Sequence, residues 1–193
     1  MALSHQSVAV VSQVSIMLDT DTNTRSANWV TCYLGLGSNL INELGSPVEH
    51  LQRALTGLQE HKQIRDVRMS SFYASAPMGP QDQPDFVNAV AGFETTFMPF
   101  ELLAFCQQLE MKAKRARIRH WGERSLDVDI LLYGEVQMSE PHLTIPHAGL
   151  FERNFVLIPL QELAPDIIIA GRAINDYPQS MDWTGLKRLS SDV

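Results

Sequence analysis

Two aspartates, Asp127 and Asp129, alternate with apolar residues in a short segment of the chain. Read as a β-strand, the segment places both carboxylates on one face and its apolar side chains on the other. The apolar face consists of Leu126, Val128, Ile130 and Leu132. Two carboxylates about 7 Å apart repel each other unless a cation lies between them, so the pattern indicates a magnesium site. Taken alone, such a pattern more often belongs to a half-exposed strand whose two aspartates face solvent.

The segment directly upstream, Lys112–Arg124, is strongly basic. It carries six of the fifteen Lys and Arg residues and a single acid, Glu123. Phosphoryl transfer requires metal-binding carboxylates beside clustered guanidinium groups, because cations bridge the phosphates and the basic groups spread the developing charge. The basic neighbour therefore favours the metal interpretation of the two aspartates.

The composition predicts one soluble domain. The chain has 193 residues, 45% of them hydrophobic, which is enough for a single core. A net charge of -7 argues against general nucleic-acid binding, which requires an overall basic surface. We find no apolar run long enough to span a membrane and expect a cytoplasmic protein. Cys32 and Cys106 stand in apolar contexts and are expected to be buried, reduced thiols.

Residues 1–28 end in a polar run and are interpreted as a disordered extension or an upstream start, with a short extra strand as the alternative. Residues 29–193 form the predicted domain. Its pattern gives the order β-α-β-β-α-β, typical of a ferredoxin-like α/β sheet with packed helices. The predicted strands are Trp29–Leu36, Ile64–Tyr73, Phe86–Thr95 and Leu126–Leu132, and helices begin near Pro47 and Pro99.

Several motifs follow one another in a specific order along the chain. They are Gly37-Ser38-Asn39, the turn at 79–84, Asn88, the arginine-rich segment, Trp121-Gly122, the aspartate strand and Pro146-His147. With these motifs the chain resembles the 6-hydroxymethyl-7,8-dihydropterin pyrophosphokinases of folate biosynthesis, from about Val30 to Leu163. The resemblance implies a ferredoxin-like fold, a magnesium requirement, and transfer of the β,γ-pyrophosphoryl group of ATP to a reduced pterin with release of AMP.

The resemblance also implies roles for individual residues. Asp127 and Asp129 would bind two magnesium ions, while Arg115, Arg117 and Arg124 would stabilise the transferring charge. Positions matching the nucleotide site are Gln107, Glu110, Ile130, His142, Thr144, His147 and Arg153. Positions matching the pterin site are Ser75, Met78, Phe86, Asn88, Trp121 and Phe155. We expect ATP and the pterin to be the only partners of a monomer, without nucleic acid or membrane.

Two other function classes are compatible with parts of the pattern. A ferredoxin-like RNA-binding module would need exposed aromatics on a basic sheet face, where this chain instead places acids. A metal-dependent phosphohydrolase or nucleotidyl transferase could use the same carboxylates. Pterin-dependent formation of AMP distinguishes the favoured reaction from that second class.

Overall fold

The computed structural model describes residues 28–115 and 122–190. The predicted N-terminal extension therefore lies outside the described residues, except for Asn28. The main strands are β1 (Val30–Ser38), β2 (Ile64–Met69), β3 (Tyr73–Ser75), β4 (Phe86–Thr95) and β5 (Asp127–Tyr133). Short strands follow: β6 (Met138–Glu140), β7 (Leu143–Ile145), β8 (Ile168–Ile169), β9 (Arg172–Ala173) and β10 (Leu186–Arg188). The helices are α1 (Pro47–Gln59), α2 (Pro99–Lys112) and α3 (Asn154–Leu163).

Local sequence signals set where the first two helices begin. At α1 the side chain of Ser46 accepts a hydrogen bond from the Glu49 N–H (3.4 Å), and Glu49 accepts one from the Ser46 N–H (2.7 Å). This is the capping box that the sequence predicts. Both α1 and α2 start with a proline, whose missing N–H costs nothing in the first turn.

The sheet is antiparallel throughout, with the strand order β10-β3-β4-β1-β5 and with β2 also paired to β4. From β1 to β5 the predicted order of elements is present, with β3 as an extra short strand. The predicted mixed α/β class is confirmed. Because every pair of neighbouring strands is antiparallel, residues that lie directly opposite each other point to the same face of the sheet.

The single strand predicted over Ile64–Tyr73 is wrong, because the chain breaks into β2 and β3. Ser70 lies at the break, where its N–H donates to the Val90 carbonyl and its hydroxyl accepts from the Val90 N–H. The Ser70 hydroxyl thus takes the place of a backbone carbonyl in one hydrogen bond between strands. The sequence pattern does not predict this.

The predicted face of Leu132 is also wrong. Leu34 pairs with Ile130, but the preceding Tyr33 pairs with Leu132, so β5 holds one extra residue, Leu131. This β-bulge reverses the alternation beyond it. Leu132 therefore packs on the same side of the sheet as Leu131, away from Ile130.

The sheet has a hydrophobic core on each face. One core holds α1 and α2 against side chains such as Leu34, Phe93 and Ile130. The other holds α3 and the C-terminal segment against Tyr33, Val90 and Leu131. Cys32 and Cys106 are free and buried in the first core, as predicted, and burial raises the pKa of the Cys32 thiol to about 12. No helix among the described residues is long and apolar enough to cross a membrane.

Candidate active site

A groove of about 530 Å³ opens on the α3 side of the sheet, where the second core ends. On that face β1 presents first the buried Tyr33 and then Gly35 and Gly37. Because the two glycines have no side chains, the groove begins there. Strand pairing places Asn88 of β4 and Asp127 of β5 directly beside Gly37. The groove floor therefore consists of three adjacent strands. A second cavity of about 240 Å³ shares Asp129, His142 and His147 with the groove.

Asp127 is held by two arginines. Its carboxylate forms one ion pair with Arg124, three residues earlier, and a second with Arg115 Nη2 at 2.8 Å. Only 23% of the Asp127 side chain and 7% of the Arg115 side chain are exposed. Charge-assisted bonds in such a sheltered position are much stronger than those on an open surface.

Glu110 adds a third carboxylate from the last turn of α2. It accepts a hydrogen bond from the Val128 N–H at 3.0 Å and forms an ion pair with Arg115. Burial nevertheless raises the pKa of Glu110, against the lowering effects of the Val128 N–H and the arginine. Arg115 thus joins the end of α2 to the first residue of β5 by bridging two carboxylates.

Asn39, which has no predicted role of its own, fixes the backbone that carries Arg124. Its side-chain oxygen accepts from the Arg124 N–H (2.8 Å), and its own N–H donates to the Arg124 carbonyl (3.0 Å). Its amide group donates to Gln83 Oε1 (3.1 Å) and to the Pro84 carbonyl (3.0 Å). The only sequence signal was its place in the Gly37-Ser38-Asn39 motif. Asn39 therefore links the 79–84 turn to the arginine end of the groove.

Asp129 is less completely neutralised than Asp127. The nearest nitrogen atoms of basic side chains are His147 Nε2 at 3.7 Å and Arg153 Nη1 at 3.9 Å, beyond hydrogen-bond distance. Although 40% of the Asp129 side chain is exposed, partial burial removes water from its carboxylate and raises its pKa. Repulsion from Asp127 raises the pKa further. The attraction of His147, Arg153 and Arg124 opposes both effects without cancelling them.

Backbone geometry orients the two basic side chains near Asp129, His147 and Arg153. His147 Nδ1 accepts a hydrogen bond from the Gly149 N–H at 3.1 Å, which leaves Nε2 to face the carboxylate. Gly149 also makes room for Arg153, because a Cβ at this position would lie 2.6 Å from the Arg153 Nε atom. A larger residue at 149 would displace the guanidinium group.

The other end of the groove is aromatic and amide-rich. Asn88 is 7% exposed and donates from Nδ2 to Ser75 Oγ at 2.9 Å. Phe86 and Phe155 both line the groove, as does the exposed Met78. Flat apolar surfaces beside a held amide suit a planar heterocycle with a polar edge.

The structure brings most of the predicted site residues together. Those lining the groove are Ser75, Met78, Phe86, Asn88, Gln107, Glu110, Arg115, Arg124, Asp127, Asp129, His142, His147, Arg153 and Phe155. Ile130 and Thr144 instead line the second cavity, and Ile130 also belongs to the core. Arg117 and Trp121 lie outside the described residues.

The residues present fit a magnesium–triphosphate group. Among the described residues no cluster of three or more His, Cys, Asp or Glu side chains forms a complete metal site. Magnesium, however, is commonly held by one or two carboxylates together with substrate phosphates and water, and Asp127 and Asp129 supply that donor set. The Nε atom of Arg115 is buried and has no hydrogen-bond partner within the described part of the chain, so it retains a donor for an anion.

Solved structures share this fold at low sequence identity. Plasmodium falciparum HPPK-DHPS with pterin and p-hydroxybenzoate matches with a TM-score of 0.61 and 15% identity, over 86% of this chain and 47% of that one. Another structure of the same wild-type protein gives a TM-score of 0.60 and 13% identity, over 86% of this chain and 49% of that one. This chain therefore spans about half the length of those proteins, and the likeness establishes the fold alone.

Curated relatives are much more similar in sequence. The 2-amino-4-hydroxy-6-hydroxymethyldihydropteridine pyrophosphokinase of Haemophilus influenzae is 47% identical over 75% of this chain and 88% of its own length. The Pseudomonas aeruginosa protein of the same name is 41% identical over 81% and 95%. The family model for 7,8-dihydro-6-hydroxymethylpterin-pyrophosphokinase (HPPK) matches residues 33–165. The chain therefore belongs to the 7,8-dihydro-6-hydroxymethylpterin-pyrophosphokinase family.

Proposed function

We propose that this chain transfers the β,γ-pyrophosphoryl group of ATP to the hydroxymethyl oxygen of 6-hydroxymethyl-7,8-dihydropterin, releasing AMP, in folate biosynthesis. The observation that carries the proposal is that one groove joins two chemically different ends. Carboxylates and guanidinium groups gather at Asp127, while aromatic and amide groups gather at Asn88. Membership of the family supports the same reaction.

The acidic end is the proposed site for the triphosphate. Asp127 and Asp129 would hold two magnesium ions, which when bound neutralise phosphate charge as it develops. Arg115 and Arg124, both already at Asp127, would contact phosphate oxygens. We assign the same role to Arg117, which lies outside the described residues.

The adenosine moiety is proposed to occupy the side of the groove that continues into the second cavity. His142 and His147 line both spaces, and Thr144 and Ile130 line the second. The remaining proposed nucleotide contacts are Gln107, Glu110 and Arg153, all of which line the groove.

The amide end is the proposed pterin site. Asn88 and Ser75 would bind the polar edge of the ring, while Phe86 and Phe155 would contact its faces, with Met78 beside them. Trp121, outside the described residues, is proposed to cover the same ligand. In such a site the reaction depends on alignment and charge stabilisation, since a loose phosphoryl-transfer transition state needs little help from a general base.

The described part of the proposed site is built from a single chain, so we propose that a monomer is competent for the reaction. The cytoplasmic location stays a prediction.

Release of AMP from Mg-ATP, measured with and without 6-hydroxymethyl-7,8-dihydropterin, tests the proposed reaction. We expect AMP to form in an amount equal to the pterin diphosphate, and only when the pterin is present. Formation of ADP or inorganic phosphate at the same rate without the pterin would instead assign the groove to a phosphohydrolase.

Replacing either acid with its amide, as Asp127→Asn or Asp129→Asn, should lower turnover at least about 100-fold, because charge stabilisation at the reacting phosphates is lost. Both variants should fold, since each change keeps the size of the side chain and Arg115 retains its ion pair with Glu110. Glu94→Gln is the matched control, because Glu94 lies at the far end of β4 and pairs with Arg65. Near wild-type turnover of both aspartate variants at ordinary magnesium concentration would overturn the metal assignment.

Asn88→Ala should weaken pterin binding by about 1–3 kcal/mol, because the polar edge of the buried ring loses its partner. Titration calorimetry with the pterin and with a non-hydrolysable ATP analogue, performed separately, resolves the effect. The affinity for the ATP analogue should change little. If the nucleotide affinity fell and the pterin affinity did not, the pterin end of the groove would have been misplaced.

A further inference from the structure

Gly37 lies in the middle of a row of three residues that crosses the sheet. It pairs with Asn88 on one side and with Asp127 on the other. Residues directly opposite on antiparallel strands point to the same face, so this row runs from the amide end of the groove to the acidic end. Strands lie about 4.8 Å apart, which places the outer two residues of the row roughly 10 Å from each other. An open space lies between these two residues, because Gly37 has no side chain.

The fold does not account for glycine at this position. Gly37 is not among the described glycines with a positive φ, so its backbone conformation is open to other residues. A Cβ here would lie 3.5 Å from Asn88 Oδ1, 3.8 Å from Phe86 Cδ1 and 4.0 Å from Asp127 Cβ. These are ordinary contact distances, so the free protein has room for a methyl group.

Other glycines of the sheet differ in this respect. At Gly35 a Cβ would approach the Leu131 side chain to 3.3 Å, and Leu131 is only 1% exposed. At Gly92 it would approach the Tyr33 ring to 3.0 Å. Packing restricts those two positions, whereas at Gly37 the space lies within the groove. Glycine within a strand also costs roughly 0.5–1 kcal/mol relative to alanine, so it needs a compensating reason.

We propose that Gly37 provides the space in which the two substrates meet, and that this space sets the alignment of the pterin hydroxymethyl group with the β-phosphate. The inference deepens the proposed function and rests on it. A pterin bound at Asn88 and a triphosphate bound at Asp127 approach each other directly above Gly37. A methyl group there would keep the reacting atoms apart, although each substrate could still occupy its own end.

Gly37→Ala tests this inference, with Thr31→Ala, an exposed position on the same strand, as the control. The Gly37 variant should unfold in urea at or above the wild-type midpoint. Its kcat should fall about 100-fold, which is the scale of effect expected from misplacing reacting groups by an ångström. The dissociation constants of the pterin alone and of a magnesium-bound ATP analogue alone should each stay within about tenfold of wild type, a change of no more than 1.4 kcal/mol. The control should retain wild-type kcat.

Three results would overturn the inference. A kcat close to that of wild type would show that the space is not needed, and a lower unfolding midpoint would show that the glycine is structural. Loss of binding of one substrate alone would assign Gly37 to that half of the groove. If wild-type protein formed no AMP in the presence of the pterin, the proposed function itself would fail, whatever the variant did.

Discussion

The groove depends on ion pairs between arginines and the carboxylates that the fold brings together. Glu110 comes from the end of α2, and Asp127 and Asp129 come from one face of β5. Their convergence is possible because cations lie among them, with Arg115 bridging Glu110 and Asp127. Breaking a buried ion pair is costly, because it leaves a charge without a partner. The three acids thus stay together in a sheltered groove, at the place where the metal–triphosphate is proposed to bind.

The register of the sheet determines where the groove residues lie relative to one another. The pairing of β1 with β4 and β5 aligns Asn88, Gly37 and Asp127 in one row. Asn39, two residues beyond Gly37, then connects the Arg124 backbone with the turn at 79–84. A shift of register by one residue would turn the carboxylates and the amide to the opposite face. The proposed alignment of the two substrates therefore depends on strand pairing as well as on individual side chains.

Much of this arrangement could be predicted from the sequence, since it follows from local patterns. The alternation around Asp127 and Asp129 places both acids on one face, and the N-cap Ser46 and the helix-starting Pro99 locate two helices. Features that depend on long-range contacts could not be predicted in the same way. The bulge at Leu131 arises from pairing with β1, and the link from Asn39 to Arg124 joins residues that are distant in sequence. The family resemblance assigns His147 and Arg153 to the nucleotide site, but no local pattern predicts that they lie near Asp129.

A crystal structure with magnesium, a non-hydrolysable ATP analogue and the pterin tests the central claim most directly. The account predicts magnesium ions bound to oxygens of Asp127 and Asp129 at about 2.0–2.1 Å, with the triphosphate between them and the arginines. It also predicts that Arg115 and Arg124 turn at least part of their guanidinium groups from Asp127 to phosphate oxygens. A triphosphate bound away from these aspartates, or magnesium held by other side chains, would contradict the account.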